Sequence, residues 1–552
     1  MLDVLIENSR VIDGTGEPWF KANVGVRGDR IRYLGLNRPD ARRRIDGAGL
    51  FLSPGFIDMH SHSDFTLIID PKGESKIRQG VTTEVIGNCG LSPAPVTEEG
   101  KHALLEWELM DAIELGLVKS KKIKWNWNSV EQYSGLLNRK GVGINVAPVI
   151  GHGCLRVMAM GQAKRAANRH EISFMKKLLA EGMKEGAFGL SSGLAYPPAC
   201  YARQSELVEL CRVVRKFGGF YMSHIRNEGD RLLQAVREAI AIGATSGVPV
   251  QISHMKAMGR RNWGKPRNVL EIMRNARKRG INVTGDQYPY EAVSLSAMYL
   301  EDFLPDWLRK ILTADLSLLD SGETKKRMRR DLRNGLSWYL NGKRVFDHPW
   351  DETLIVDAPS SRRYEGKTFT ELSTLLNKEP VDILRGFLSK RSRIQILPRP
   401  MCEEDLETIL RDEMVMIGSD GWALRRGGLS ARAARTKPHP RNYGTFPRVI
   451  HRYVRQRRLL TLEDAIRKMT SSTARKLGVF ERGIIAEGMS ADIVLFDFKR
   501  LRDAGTFSKP EVYAKGVEYV LVNGEIAIAG GRHTGILAGR ALRHVGFVKK
   551  QA

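Results

Sequence analysis

The sequence predicts an α/β protein: a (β/α)8 TIM-like barrel, with a small β-sandwich domain formed by both chain ends and a helical insertion. Three observations carry this. Apolar, strand-like runs alternate with helical patterns through the middle of the chain, the sign of βα units and a parallel sheet. Eight such runs occur, the number that closes a barrel. The two ends have a different texture, short alternating strands broken by Gly, Asp and Asn, which reads as hairpins.

In chain order, residues 1–53 supply the N-terminal part of the β-sandwich domain, with strands at Asp3–Glu7, Ala22–Val26 and Arg30–Gly35. The barrel is expected over 54–480. Its strands are Gly55–Met59, Thr82–Ile86, Ile144–Ile150, Gly186–Leu190, Gly219–Ser223, Val248–Ser253, Ile281–Thr284 and Met414–Ile417, with helices such as Glu171–Glu185 and Arg231–Thr245 between them. The pattern breaks after Tyr290, where a charged, helical insertion is expected over about 291–350. A further strand at Thr353–Asp357 and helices near Glu371 and Val381 follow. Insertions on barrel loops often cap the site. Residues 481–552 return to strands, with Asn523-Gly524 as a type I′ turn.

A chain of 552 residues exceeds one simple core. It has no run of 18 apolar residues, and its start, with an early Asp3 and no basic segment, is unlike a secretory signal. Five scattered cysteines do not form a disulfide framework, so reduced thiols and a cytoplasmic location are expected. The net charge of +26 makes a polyanion partner worth weighing. Its basic runs, Arg42–Arg44, Lys119–Lys124, Lys325–Arg330 and Arg452–Arg458, are scattered and accompany no nucleic-acid motif. They read as solvated faces, and the expected partner is a small molecule rather than nucleic acid or a membrane.

Chemistry concentrates at strand ends. His60 and His62 close the first run, where alternation turns both imidazoles one way. Cys89 follows the second run, His224 ends the fifth, His254 the sixth and Asp420 the eighth. Each alone has a plain reading: a buried thiol, a hydrogen-bonded histidine, an aspartate in a turn. Six metal-competent side chains at one end of a barrel, where active sites of this fold lie, point to a metal centre. Thiolate and imidazole donors suit zinc, and an aspartate beside it can move a proton.

With His60-Ser61-His62, Gly87-Asn88-Cys89-Gly90, Ser223-His224, Ser253-His254-Met255-Lys256, Tyr288-Pro289-Tyr290, Gly418-Ser419-Asp420-Gly421, His439-Pro440-Arg441 and Gly444-Thr445-Phe446-Pro447, the chain resembles the N-acyl-D-amino-acid deacylases (D-aminoacylases) of the amidohydrolase superfamily over nearly its whole length. The resemblance implies zinc-dependent hydrolysis of N-acyl-D-amino acids to a carboxylate and a free D-amino acid. It implies a tight zinc site from Cys89, His224 and His254, and a weaker second site from His60, His62 and Asp420 with Cys89 able to bridge. It also implies Asp420 as catalytic base and acid, and Arg441, Lys256 and Tyr288 as substrate-binding residues that hold the substrate carboxylate. Tyr288 and Tyr290 are hard to separate by sequence.

The basic segment 422–432 departs from the family pattern and leaves the preferred acyl amino acid open. Gly189-Leu190-Ser191-Ser192-Gly193 mimics a serine-hydrolase elbow, but the metal donors already supply a route to a nucleophile. His152 in the third strand's loop is either a substrate or supporting contact or a plain loop histidine. Two other functions are open to such a chain. Cyclic-amide hydrolases of the dihydropyrimidinase kind usually need a bridging lysine on strand four, absent here. A basic polyanion-binding protein on an inactive barrel is opposed by the intact donor set.

Overall fold

The computed structural model describes residues 1–107, 125–293, 299–340, 343–428 and 437–544. The Lys119–Lys124 run and residues 429–432 of the basic segment lie outside them.

Eight parallel strand positions form the barrel. Phe56–Asp58, Val81–Ile86 and Asn145–Pro148 make one run. Ile150–Gly151, Gly189–Gly193, Phe220–His224, Val250–Ile252, Val283–Gln287 and Val415–Ile417 make the other, each parallel to the next. The runs join at Val149, whose N–H donates to Ile86 O at 2.9 Å within the third strand position. They close where Asp420 N–H donates to His60 O at 2.7 Å and Ser61 bridges Gly421 in parallel.

The side-chain period of two sorts the first strand. Ile57 and Met59 join the interior cluster with Val85, Ala147, Phe220, Met222 and Met416. Phe56 turns outward and stacks on Phe446 at 5.7 Å. Helices Arg169–Lys184, Gln204–Lys216, Leu232–Ser246 and Lys265–Lys278 cover the outside with their apolar faces. Arg169–Lys184 starts on an Asn168/Glu171 capping box, and Leu232–Ser246 stops at Gly247 in the left-handed region.

Strand four lies three residues later than expected. Gly186 (φ +103°) and Ala187 still bond back to the preceding helix, so the strand starts at Gly189. Its small residues are required by neighbours: a Cβ on Gly189 would stand 2.1 Å from Phe220 O. Strand propensity misplaced the element because backbone approach, not side-chain packing, selects these residues.

The two chain ends meet in one nine-stranded sheet. Leu2–Val11 pairs with Phe20–Arg27, Ala41–Asp46 and Phe51–Pro54; the last pairs with Ile493–Phe496, which leads to Val517–Val522 and Glu525–Ala529. Both ends share a core that includes Ile6, Val24, Ile45, Ile493 and Leu521. The Asn523-Gly524 turn has φ of 48° and 86°, as a type I′ turn requires. A separate apolar cluster runs from Leu300 to Ile396, past the 291–350 bounds expected for the insertion, because the residues after 350 pack back on its helices. This region mixes helices Asp306–Ala314, Gly322–Asp331 and Phe369–Leu376 with the paired strands Thr353–Asp357 and Gln395–Pro398.

A buried ammonium ties the closure together. Lys76 is fully buried and donates to Asp58 Oδ2 (2.7 Å), Ser419 Oγ (2.6 Å) and Gly421 O (3.2 Å), with Glu84 Oε2 at 3.5 Å. Asp58 in turn accepts from Ser419 N (2.8 Å) and His60 N (3.2 Å). This holds strands one, two and eight at the end that carries His60 and Asp420. Removing one partner strands the buried charges of the others, so Lys76→Met should lower stability by about 3–5 kcal/mol, read from denaturant unfolding. A loss below about 1 kcal/mol would mean the network is solvated.

Candidate metal centre

Each donor sits just past a strand's C-terminal end. Cys89 lies three residues beyond strand two, His254 two beyond strand six and Asp420 three beyond strand eight; His224 ends strand five. The turns that present them are strained. Cys89 (φ 55°), His254 (φ 32°) and Asp420 (φ 51°) all take left-handed backbone, which costs a non-glycine residue about 1–3 kcal/mol each and concentrates at functional sites.

Ser191 helps to hold the Cys89 turn: its Oγ accepts from Gly90 N–H (2.9 Å) and donates to Gly87 O. It is thus a buried strand residue engaged with the 87–90 backbone. Tyr196 OH donates to Cys89 O at 2.5 Å and its ring meets His224 edge-on. His152 is buried against Glu206 (2.8 Å), which Arg156 also grips through both carboxylate oxygens; it belongs to a buried ion-pair cluster.

The donors converge. Cys89 Sγ lies 3.3 Å from His60 Nε2 and 3.4 Å from His254 Nε2. His254 Nε2 is 3.1 Å from His224 Nδ1. Asp420 Oδ1 is 3.1 Å from His62 Nε2 and 3.4 Å from His60 Nε2. Donor atoms of His60, Cys89, His254 and Asp420 all lie within 4.8 Å of one another. A tetrahedral zinc with bonds near 2.0–2.3 Å would separate its donors by roughly 3.3–3.7 Å, so the spacing fits a metal. Burial pushes the Cys89 thiol up, yet the imidazoles of His60 and His254 overcome it and hold the group well below the ordinary thiol range, as a thiolate ligand needs.

Two carboxylates that sequence reading missed complete the cluster. Asp286 Oδ1 lies 3.1 Å from His60 Nδ1 and accepts from His254 N–H (2.8 Å); its Oδ2 accepts from Gln251 (2.9 Å). Glu228 Oε1 lies 3.0 Å from His254 Nδ1 and accepts from Lys256 Nζ (2.7 Å). Carboxylates on the far nitrogens of histidines are the usual support of metal ligands. The available signal was an acid two residues past the strand-seven run Ile281–Thr284, and one four residues after His224.

The three expected substrate contacts meet on one side. Tyr288 has Lys256 Nζ 5.6 Å and Arg441 Cζ 5.0 Å from its ring centroid. Tyr290 instead packs on His439, Phe507 and Arg448, which separates the two tyrosines. Arg441, 2% exposed, donates from Nη1 to Asp420 Oδ2 at 2.7 Å, while its Nε has no partner among the described residues. Burial opposes the charge of Asp420, but Arg441, His254 and His62 hold its carboxyl well below the usual range. Strand four carries no lysine; Cys89 Sγ occupies the place between the histidines.

A barrel with this donor set at its C-terminal face defines a metal-dependent hydrolase scaffold, and the comparisons agree. An amidohydrolase family model matches residues 43–298 and 423–528. The chain is 34% identical over 524 residues to N-acyl-D-glutamate deacylase of Alcaligenes xylosoxydans xylosoxydans, covering 95% of this chain and 93% of that one. It is 34% identical over 541 residues to D-aminoacylase of the same organism, covering 98% and 97%. The crystal structure of N-acyl-D-glutamate deacylase from Bordetella bronchiseptica, complexed with zinc and a phosphonate inhibitor that mimics the tetrahedral intermediate, superposes with a TM-score of 0.74 at 31% identity, covering 98% and 99%. The chain belongs to the amidohydrolase family, in the branch of N-acyl-D-amino-acid deacylases.

Proposed function

We infer that this protein hydrolyses the amide bond of N-acyl-D-amino acids, releasing a carboxylate and the free D-amino acid, with zinc as cofactor. The observation that carries the substrate class is Arg441: a buried guanidinium whose Nε has no hydrogen-bond partner among the described residues, set between Asp420 and Tyr288 beside the donor cluster. Such an edge is made for a carboxylate, which a planar fork grips in two places. The D configuration follows the substrates in the relatives' names.

Cys89, His224 and His254 would hold the tighter zinc, and His60, His62 and Asp420 a weaker second one with Cys89 shared. Bound zinc supplies a Lewis acid that polarises the acyl carbonyl and makes water nucleophilic near neutral pH. Asp420 Oδ1 takes the proton from the attacking water and returns it to the departing amine nitrogen. Arg441 and Lys256 fix the substrate carboxylate, so the amide meets the nucleophile in one orientation. Tyr288 forms the wall between the two cations.

In domain terms, residues 1–53 and 481–552 act as one β domain around the 54–480 barrel, and the insertion after Tyr290 as a cap. Five free cysteines support the expected cytoplasmic setting, and no helix among the described residues is long and apolar enough to cross a membrane.

Cys89→Ala should lose the tight zinc and all turnover, read by metal analysis of the dialysed protein and by amine release. Stoichiometric zinc with full activity in that variant would sink the shared-thiolate reading. Arg441→Ala removes a charge-assisted contact of about 1.5–3 kcal/mol and should raise KM about 10–100-fold, with a smaller change in kcat. An unchanged KM would move the carboxylate site elsewhere.

A further inference from the structure

Besides Asp420, a second acidic side chain of the cluster faces the metal donors and the expected substrate contacts at once. Glu228 follows strand five in the segment after His224 and is largely buried, with 9% of its side chain exposed. Its Oε1 lies 3.0 Å from Nδ1 of His254 and 2.7 Å from Nζ of Lys256. His224 Nε2 is 3.8 Å from Oε2. Donor atoms of His224, Glu228 and His254 fall within 4.8 Å of one another, so the trio could be taken for a metal site of its own. Lys256 argues against that: its ammonium occupies the carboxylate that a cation would need.

The hydrogen-bond arithmetic gives Glu228 a different role. His254 turns Nε2 toward Cys89 Sγ and His224 Nδ1. A neutral imidazole that offers Nε2 as a ligand carries its proton on Nδ1. Lys256 Nζ is only 2.7 Å from that Nδ1, and an ammonium has donors alone. Two donors therefore face each other, and Glu228 Oε1 is the acceptor placed to serve both. Without its charge, either the imidazole tautomer or the lysine position gives way.

We propose that Glu228 is a positioning residue that couples the metal centre to the substrate clamp, fixing the His254 tautomer with the same oxygen that aims Lys256 at the substrate carboxylate. The lysine half rests on the deacylase reading above; the histidine half needs only the donor cluster. Glu228→Gln keeps the shape and can leave an amide oxygen facing both partners, but it removes the negative charge that balances the Lys256 ammonium beside the His254 imidazole, and a neutral acceptor holds a charged donor more weakly than a carboxylate does. The effect should therefore appear in two separable readouts.

The test is a zinc titration of the metal-free chain against a chromophoric chelator, with steady-state kinetics on N-acetyl-D-amino acids, for wild type, Glu228→Gln, Lys256→Met and the double variant. Thermal melts check that each is folded. Loss of a supporting carboxylate should weaken zinc about 10–100-fold in Glu228→Gln, with or without Lys256. Glu228→Gln should also raise KM in the wild-type background, and no further once Lys256 is methionine. Glu228→Asp, with a shorter reach, should recover zinc affinity or KM in part but not both. Unchanged zinc affinity and KM in folded Glu228→Gln would overturn the proposal. Equal KM effects with and without Lys256 would overturn the coupling. A wild type that binds no zinc, or that hydrolyses no N-acyl amino acid, would refute the deacylase reading instead.

Discussion

The structure depends on burying one ammonium among carboxylates at the seam of the barrel. Lys76, Asp58 and Ser419 join residues 361 apart in sequence, and the same Asp58 receives the backbone N–H groups of Ser419 and His60. The seam therefore sets the backbone on which His60 and Asp420 stand. A buried ion pair adds little net stability over an apolar replacement, so its value here is placement. The cost of left-handed backbone at Cys89, His254 and Asp420 is borne by a frame that over-determines those turns.

From that frame the centre is built in layers. The innermost atoms are the thiolate, imidazoles and carboxylate. Around them, Asp286 and Glu228 take the far nitrogens of His60 and His254, and Ser191 and Tyr196 hold the Cys89 turn by its backbone. The substrate side shares members with the metal side: Asp420 pairs with Arg441, and His254 neighbours Lys256 through Glu228. The basic character of the chain contributes little to this centre, because its two active-site cations are each matched by an acid.

The barrel and the candidate donor residues were legible in the sequence because both rest on local signals. Apolar runs mark strands, and a polar residue just after such a run marks the catalytic face. His60, Cys89, His224, His254 and Asp420 each follow that rule, and the structure brings them together with His62. Their mutual spacing was not legible: His60 Nε2 stands 3.3 Å from Cys89 Sγ and 3.4 Å from Asp420 Oδ1, with His62 Nε2 3.1 Å from the same oxygen, and this depends on the bend of the chain after Asp58. Lys76, Asp286 and Glu228 escaped notice because a charged residue in a short helix, a strand or a loop declares its role only through partners that the fold, not the local sequence, brings to it. Strand four was misplaced because its glycines and serines serve backbone contacts that no propensity records. In the segment after the charged helices the strand Thr353–Asp357 and the helices that follow it were legible, but its partner Gln395–Pro398 was not, because a four-residue apolar run does not announce its pairing.

The most direct measurement is amine release from a panel of N-acetyl D- and L-amino acids, run on protein whose zinc content is determined in the same sample. The account predicts turnover of D substrates that scales with bound zinc, is lost on chelation and returns with zinc, and is far slower for the matching L substrates and for N-acyl amines that lack the carboxylate. Turnover independent of zinc, or equal rates for acyl amines without a carboxylate, would contradict it.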